Sequence, residues 1–258
     1  MAATAARARG EPQQKDNLCG PFWAARVLRD AGIETWDGEP VDEDLLALRA
    51  GTALPEPDEG PLPPGAPRRR GYRFALPRVP PLASGTAAGA LAAAIESAAG
   101  GRLRCLPLRG RFTAERVVAM LDAAAALPGA RLLANLRSGG LWGSRPPLEA
   151  LVAELHGEQV EGPAAEWDVG HYCELELLLR GPGGALVVVH DSYPSLGWEG
   201  RHLQPPRAVA AALARGDGRE GGVLVVTPAA GARGAAALAA SLGLEIGIWD
   251  NGSRGEPR

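Results

Sequence analysis

The stretch from Leu54 to Pro81 limits the fold more than any other part of this chain. It carries Pro55, Pro57, Pro61, Pro63, Pro64, Pro67, Pro77, Pro80 and Pro81, with Arg68, Arg69 and Arg70 in its middle. Proline fixes φ and has no N–H to donate, so neither a helix nor a central strand runs through such a segment. It reads as an extended insertion, about residues 52–83. A loop of that length within a domain is either a functional flap or disordered.

Regular elements are legible on both sides of it. Phe22, Ala25, Val27 and Leu28 recur near helical spacing over Cys19 to Ala31, with a stop at Gly32. Val41 to Ala50 repeats the pattern, and its first turn holds Asp42, Glu43 and Asp44, where the helix dipole favours acids. Further helices are expected over Thr86 to Ala99, from the cap Thr113 to Leu127, from Pro146 and Pro147 to Gly157, over Pro206 to Arg215, and beyond Gly231. Strands are expected around Leu103 to Leu108, Arg131 to Leu136, Val223 to Thr227 and, at an edge, Leu244 to Trp249. Tyr172 to Leu179, the turn Gly181-Pro182-Gly183-Gly184 and Ala185 to His190 read as an antiparallel hairpin. Helices first and antiparallel strands later make an α+β protein. The expected organisation is one domain over 13–250, with flexible tails at 1–12 and 251–258.

Charge and cysteine usage narrow the function classes. With 27 basic against 30 acidic residues in 258, the formal charge of −3 gives no basic stripe for nucleic acid. Apolar runs such as Ala87 to Ile95 are far shorter than the roughly 20 residues a membrane span needs, and no secretory signal opens the chain. Cys19, Cys105 and Cys173 do not form a disulfide framework, so a cytoplasmic location is expected.

One constellation carries chemistry. Cys19 opens a helix in Cys19-Gly20-Pro21, where unpaired backbone N–H groups and the helix dipole favour a thiolate. Gly20 would let a substrate backbone approach, and Pro21 suits the first turn. His171 starts the first strand of the hairpin and Asp191 follows the second. Because the start of one strand faces the end of its partner, the two should be neighbours. A Cys-His-Asp set supplies a nucleophile, a proton carrier and a group that orients the imidazole. Gln13, six residues before Cys19, would add an amide donor for an oxyanion, with Gln14 the alternative if the register slips.

The segment from Gln13 to Pro21, with Gly170-His171-Tyr172 and Asp191, resembles the papain-like cysteine peptidases, in particular their bacteriocin-processing, double-glycine branch. His171 follows Cys19 by about 150 positions, near the roughly 130–150 expected in papain-type enzymes. The resemblance implies a papain-like fold, an N-terminal helix carrying the nucleophile packed on an antiparallel sheet. It also implies Cys19 as nucleophile, His171 as general base and acid, Asp191 as orienter and Gln13 in the oxyanion hole. Leu18 stands where that branch often has aspartate, and the Pro-rich stretch has no counterpart in it.

The expected function is cleavage of a peptide or other amide bond without a cofactor or metal. The alternatives are acyl transfer on the same fold, as in transglutaminase-like enzymes, and a non-catalytic papain-like binding protein. No nucleic-acid or membrane partner is expected, and the oligomeric state is left open. Trp142, Trp167 and Gly170 are candidate groove residues; either tryptophan equally reads as a plug at the rim of the core. Asp191 also reads as a turn residue. Cys173 and His190 invite a zinc reading, but their spacing fits no Cys/His zinc pattern and Cys173 reads better as core. Cys105 reads as core, His156 as a helix end and His202 as exposed loop. Arg68 to Arg70 read as a solvated loop or a dock for an acidic partner.

Overall fold

A computed structural model describes residues 13–254, so the proposed tail at 1–12 and the last residues of the C-terminal one lie outside the described part. Along the chain run α1 (Cys19–Asp30), the small hairpin β1 (Thr35–Trp36) and β2 (Glu39–Pro40), and α2 (Glu43–Arg49). The Pro-rich segment contributes only β3 (Leu54–Pro55) and β4 (Arg78–Val79), which pair with each other. Then follow α3 (Ala88–Ala99), β5 (Leu103–Arg109), α4 (Ala114–Ala125), β6 (Arg131–Arg137) and α5 (Leu148–Leu155). The hairpin β7 (Gly170–Arg180) and β8 (Ala185–His190), β9 (Arg201–Gln204), α6 (Pro206–Ala214), β10 (Gly222–Pro228), α7 (Ala232–Ser241) and β11 (Glu245–Ile246) complete it.

Seven strands form one sheet in the order β11-β5-β10-β6-β7-β8-β9, antiparallel at every step. The period of two in its central strands sorts side chains to two covered faces. Leu132, Ala134, Val223, Val225, Cys173 and Leu175 pack with α4, α6 and α7. Leu133, Leu224, Val226 and Tyr172 pack with α1 and α3. Because both faces are covered, β6 and β10 are apolar without alternation, and all of Val223 to Val226 is buried. The fold is thus α+β on an antiparallel sheet, as the order of elements implies. No helix among the described residues is long and apolar enough to cross a membrane.

Local caps explain the starts of α2 and α4. Asp42 accepts the Leu45 N–H at 2.8 Å and Thr113 accepts the Arg116 N–H at 3.3 Å, each satisfying an orphan donor of the first turn. Glu43 and Asp44 sit in the first turn as expected but are buried, where Glu43 accepts the Lys15 N–H at 2.8 Å and Asp44 pairs with the Lys15 ammonium.

One expectation, that for His202, is corrected, and two segments take defined positions. The C-terminal tail is ordered through its first residues. Trp249 is buried against the sheet, the Asn251 amide donates to Thr86 O at 2.9 Å, and the Arg254 N–H donates to Ala83 O at 3.0 Å. His202 is a buried residue of β9, bonded to the Gln204 amide at 2.9 Å, because β9 extends the sheet where a loop was expected. The Pro-rich segment is a folded strap bonded across the site described next.

Candidate active site

The nucleophile candidate is positioned by an unusual helix entry. Asn17 adopts a left-handed backbone, φ 64°, which asparagine tolerates better than most residues, and this turns the chain into α1. Leu18 occupies the N-cap with no side-chain cap. The first N–H groups of a helix have no partner inside it, and the Cys19 N–H makes no hydrogen bond among the described residues. Cys19 is half-buried, and its Sγ accepts the Tyr172 N–H at 3.4 Å.

The strap holds that entry in place through Asp16, which is fully buried. The Asp16 carboxylate accepts the Arg69 N–H at 2.9 Å and faces Arg68 Nη1 at 3.4 Å. The Asp16 N–H donates to Arg69 O at 2.9 Å, and the Tyr72 hydroxyl donates to Asp16 O at the same distance.

His171 and Asp191 meet as the hairpin geometry implies. His171 is 2% exposed, and its Nε2 lies 3.2 and 3.1 Å from the two Asp191 carboxylate oxygens. Asp191 also accepts the Tyr193 N–H at 3.0 Å, so it serves as a turn residue and as a histidine partner at once. The Cys19 thiol is near enough to the imidazole to favour its charged form. Burial by itself would lower the His171 pKa, but the charges of Asp191 and Cys19 and their hydrogen bonds outweigh it and raise it to about 10. Burial likewise opposes ionisation of Asp191, yet the His171 charge and hydrogen bond hold its carboxyl below the usual range.

The remaining expected site residues divide. Trp167 neither lines an open groove nor merely plugs a rim. It packs edge-on against the His171 ring at 4.9 Å and the Tyr193 ring at 5.4 Å, and its Nε1–H donates to Pro61 O of the strap at 3.0 Å. It therefore keeps water from the His171–Asp191 pair. Trp142 takes no part in the cleft: Gln204 binds both its backbone N–H and C=O, and Arg207 stacks on its ring at 5.4 Å. Gly20 is buried, not open to a substrate. A Cβ there would lie 3.2 Å from Leu91 Cδ2 and from Tyr172 Cδ2, so the glycine lets α1 lie against α3 and β7.

The Gln13 amide donates to Pro67 O at 2.8 Å, which engages one of its two N–H groups with the strap. Gln14 sits in a separate network, donating to the Tyr193 hydroxyl at 3.0 Å and accepting from Ser192 Oγ at 2.6 Å. Cys173 and Cys105 pack in the two core clusters, and burial raises both thiols. Among the described residues no group of three His, Cys, Asp or Glu side chains is placed to hold a metal ion.

Cys19 opens into a cleft of about 190 Å³. Its walls come from Asn17, the strap at Pro55 and Asp58 to Gly60, the segment before α3, Gly170 and Tyr172 of β7, Arg215 and Arg219, and the tail at Asn251 and Ser253. Its floor is polar: Asn135 Oδ1 accepts from Arg215 Nη1 at 3.3 Å and from Trp249 Nε1 at 3.2 Å. Sequence reasoning found Cys19 and Gly170 here but not Asn17, Asn135, Arg215 or Asn251. Asn17, two positions before the cysteine, was the only one with a local signal. A wider depression of about 530 Å³ between α4 and the end of α7 shares no residue with this cleft, and its one hydroxyl, Ser241, donates to Leu238 O at 2.8 Å.

The chain belongs to a family of unknown function, DUF6885, which matches residues 1–250. No curated protein and no solved structure matches it.

Proposed function

We propose that the chain is a papain-like cysteine hydrolase acting on a peptide or other amide bond. The observation that carries this reading is the buried His171 imidazole, whose Nε2 is held by Asp191, next in sequence to Tyr172, whose N–H binds a half-buried cysteine at a helix N-terminus. A thiolate beside an imidazolium attacks the amide carbonyl carbon, forming the S–C bond and placing charge on the oxygen. The free Cys19 N–H is one donor for that oxyanion, and the second N–H of Gln13 is the other. His171 passes its proton to the amine nitrogen as the C–N bond breaks, leaving a thioester on Cys19. Water then gives a proton to His171 and adds to the thioester. Loss of the thiolate releases the acid and restores the pair. Asp191 holds the ring throughout, and Trp167 shields it.

The test is the rate of Cys19 alkylation by iodoacetamide against pH, followed by peptide mass mapping in wild type and His171→Ala. Selective reaction at Cys19, lost in the variant, is the expected result. A rate that rises only near the free-thiol value of about 8.5, and ignores His171, would overturn the reading in favour of a non-catalytic protein. Supplying an amine to the acylated enzyme and weighing the products separates hydrolysis from acyl transfer.

A further inference from the structure

We infer that Arg215, with Arg219 beside it, anchors a substrate carboxylate in the Cys19 cleft. This rests on the reading of Cys19 as nucleophile and names the substrate class: an amide bearing a free carboxylate within about one residue of the scissile bond.

Arg215 is 4% exposed yet lines the cleft, and it follows α6 in a left-handed backbone, φ 47°. A β-carbon residue held there is strained, and such strain concentrates at binding sites. Its head is fixed by Asn135 Oδ1 at 3.3 Å and by Asp217, which accepts from Nε at 3.2 Å and from Nη2 at 2.8 Å. A guanidinium has five N–H donors in a planar fork. These bonds use three, so Nη1 and Nη2 each keep one.

Asp217 does not neutralise Arg215 alone. It also accepts from Arg137 Nη1 at 3.2 Å, while Arg137 pairs in addition with Asp168. Arg219 lines the same cleft, and its Nη2 donates to the neutral carbonyl of Leu82. Arg215 and Arg137 thus share the carboxylates of Asp217 and Asp168, while the Arg219 guanidinium pairs with no carboxylate among the described residues, so positive charge is left over at this end. The cleft's acids, Asp58 and Glu59, belong to the strap, where Glu59 is already paired with Arg70 at 2.6 Å.

Gly170 fits the same reading. A Cβ there would lie 2.9 Å from Arg215 Nη2 and 3.3 Å from Nη1, so only glycine lets the fork rest beside the start of β7. Arg215 is tied to the nucleophile through two strands. Asn135, which it binds, stands opposite Tyr172 in the β6–β7 register, and the Tyr172 N–H donates to Cys19 Sγ. At about 190 Å³ the cleft has room for roughly six waters at about 30 Å³ each, the size of a small carboxylated group. A carboxylate there would take charge-assisted bonds from the fork.

The experiment compares Cys19 alkylation by iodoacetate, which carries a carboxylate, with that by neutral iodoacetamide in the full chain. His171 favours the anion in every variant, so the readout is the change in the iodoacetate-to-iodoacetamide rate ratio. We expect it to fall roughly tenfold in Arg215→Gln and several-fold in Arg219→Gln, the range of a lost charge-assisted bond, and to hold in Arg233→Gln on α7. Arg219 is half-buried, so its variant gives a result even if Arg215→Gln fails to fold. A fast wild-type iodoacetamide reaction with the same ratio in Arg219→Gln, and in Arg215→Gln where folded, overturns the anchor while sparing the nucleophile. A slow iodoacetamide reaction overturns the nucleophile itself.

Discussion

At the scale of single residues, the site is a coupled charge system. The imidazole of His171 is raised to about 10 against the pull of burial because Asp191 and Cys19 both favour its charged form. Cys19→Ala removes one of those two, so the His171 pKa should fall by a unit or more in that variant, read from its ring protons by NMR. A value that stays put would mean the thiol and imidazole are not a pair. The proposed oxyanion donors separate in a similar way. Gln13→Ala should cut turnover of an amide substrate by roughly 10²–10³ if its free N–H is the second donor, with Asn17→Gly, which keeps the positive φ, nearly silent. The reverse pattern would assign the role to Asn17, which lines the cleft beside Cys19.

At the scale of elements, the strap is what a sequence reading of papain-like motifs leaves blank. Its prolines forbid regular structure, so nothing in its periodicity says where it goes. The buried Asp16 decides, by taking the Arg69 N–H and the Arg68 guanidinium. Asp16→Ala should cost about 2 kcal/mol and expose the strap to limited proteolysis between β3 and β4. An unchanged digestion pattern would deny it the latch role. The hairpin shows the opposite case. β7, its Gly-rich turn and β8 were legible because apolar, β-branched runs and a turn are local signals, and their pairing brought His171 to Asp191. Trp142 and Gly20 were misplaced because a local pattern does not reveal which long-range neighbour claims a side chain: Gln204 and Arg207 for one, Leu91 and Tyr172 for the other. Arg215 and Asn251 join the cleft only through tertiary contacts, so no local signal marked them.

For the whole molecule, the linkage between protonation and folding sets a pH window. His171 has a folded pKa of about 10 against an ordinary 6.5, so its contribution to stability is complete below 6.5 and fades as pH climbs toward 10. Asp191 is lowered below 3.8, so its contribution is present above that value and is lost as pH falls through its folded pKa. Thermal melts across pH should show a declining alkaline limb that His171→Ala flattens; a limb of equal slope in both proteins would contradict this. Packing at the sheet's far reach is testable too. A Cβ on Gly222 would meet Trp249 ring atoms at 2.4 Å, so Gly222→Ala should lower stability by about 1–3 kcal/mol and speed amide exchange in the tail from Trp249 to Ser253. That tail forms a wall of the cleft, and this sets a timetable during synthesis. Cys19 leaves the ribosome early, Asp191 much later, and Asn251 and Ser253 later still. On the proposed reading, the nascent chain would carry the cysteine throughout that interval without His171, Asp191 or a closed cleft, and would be inactive until its own translation was complete.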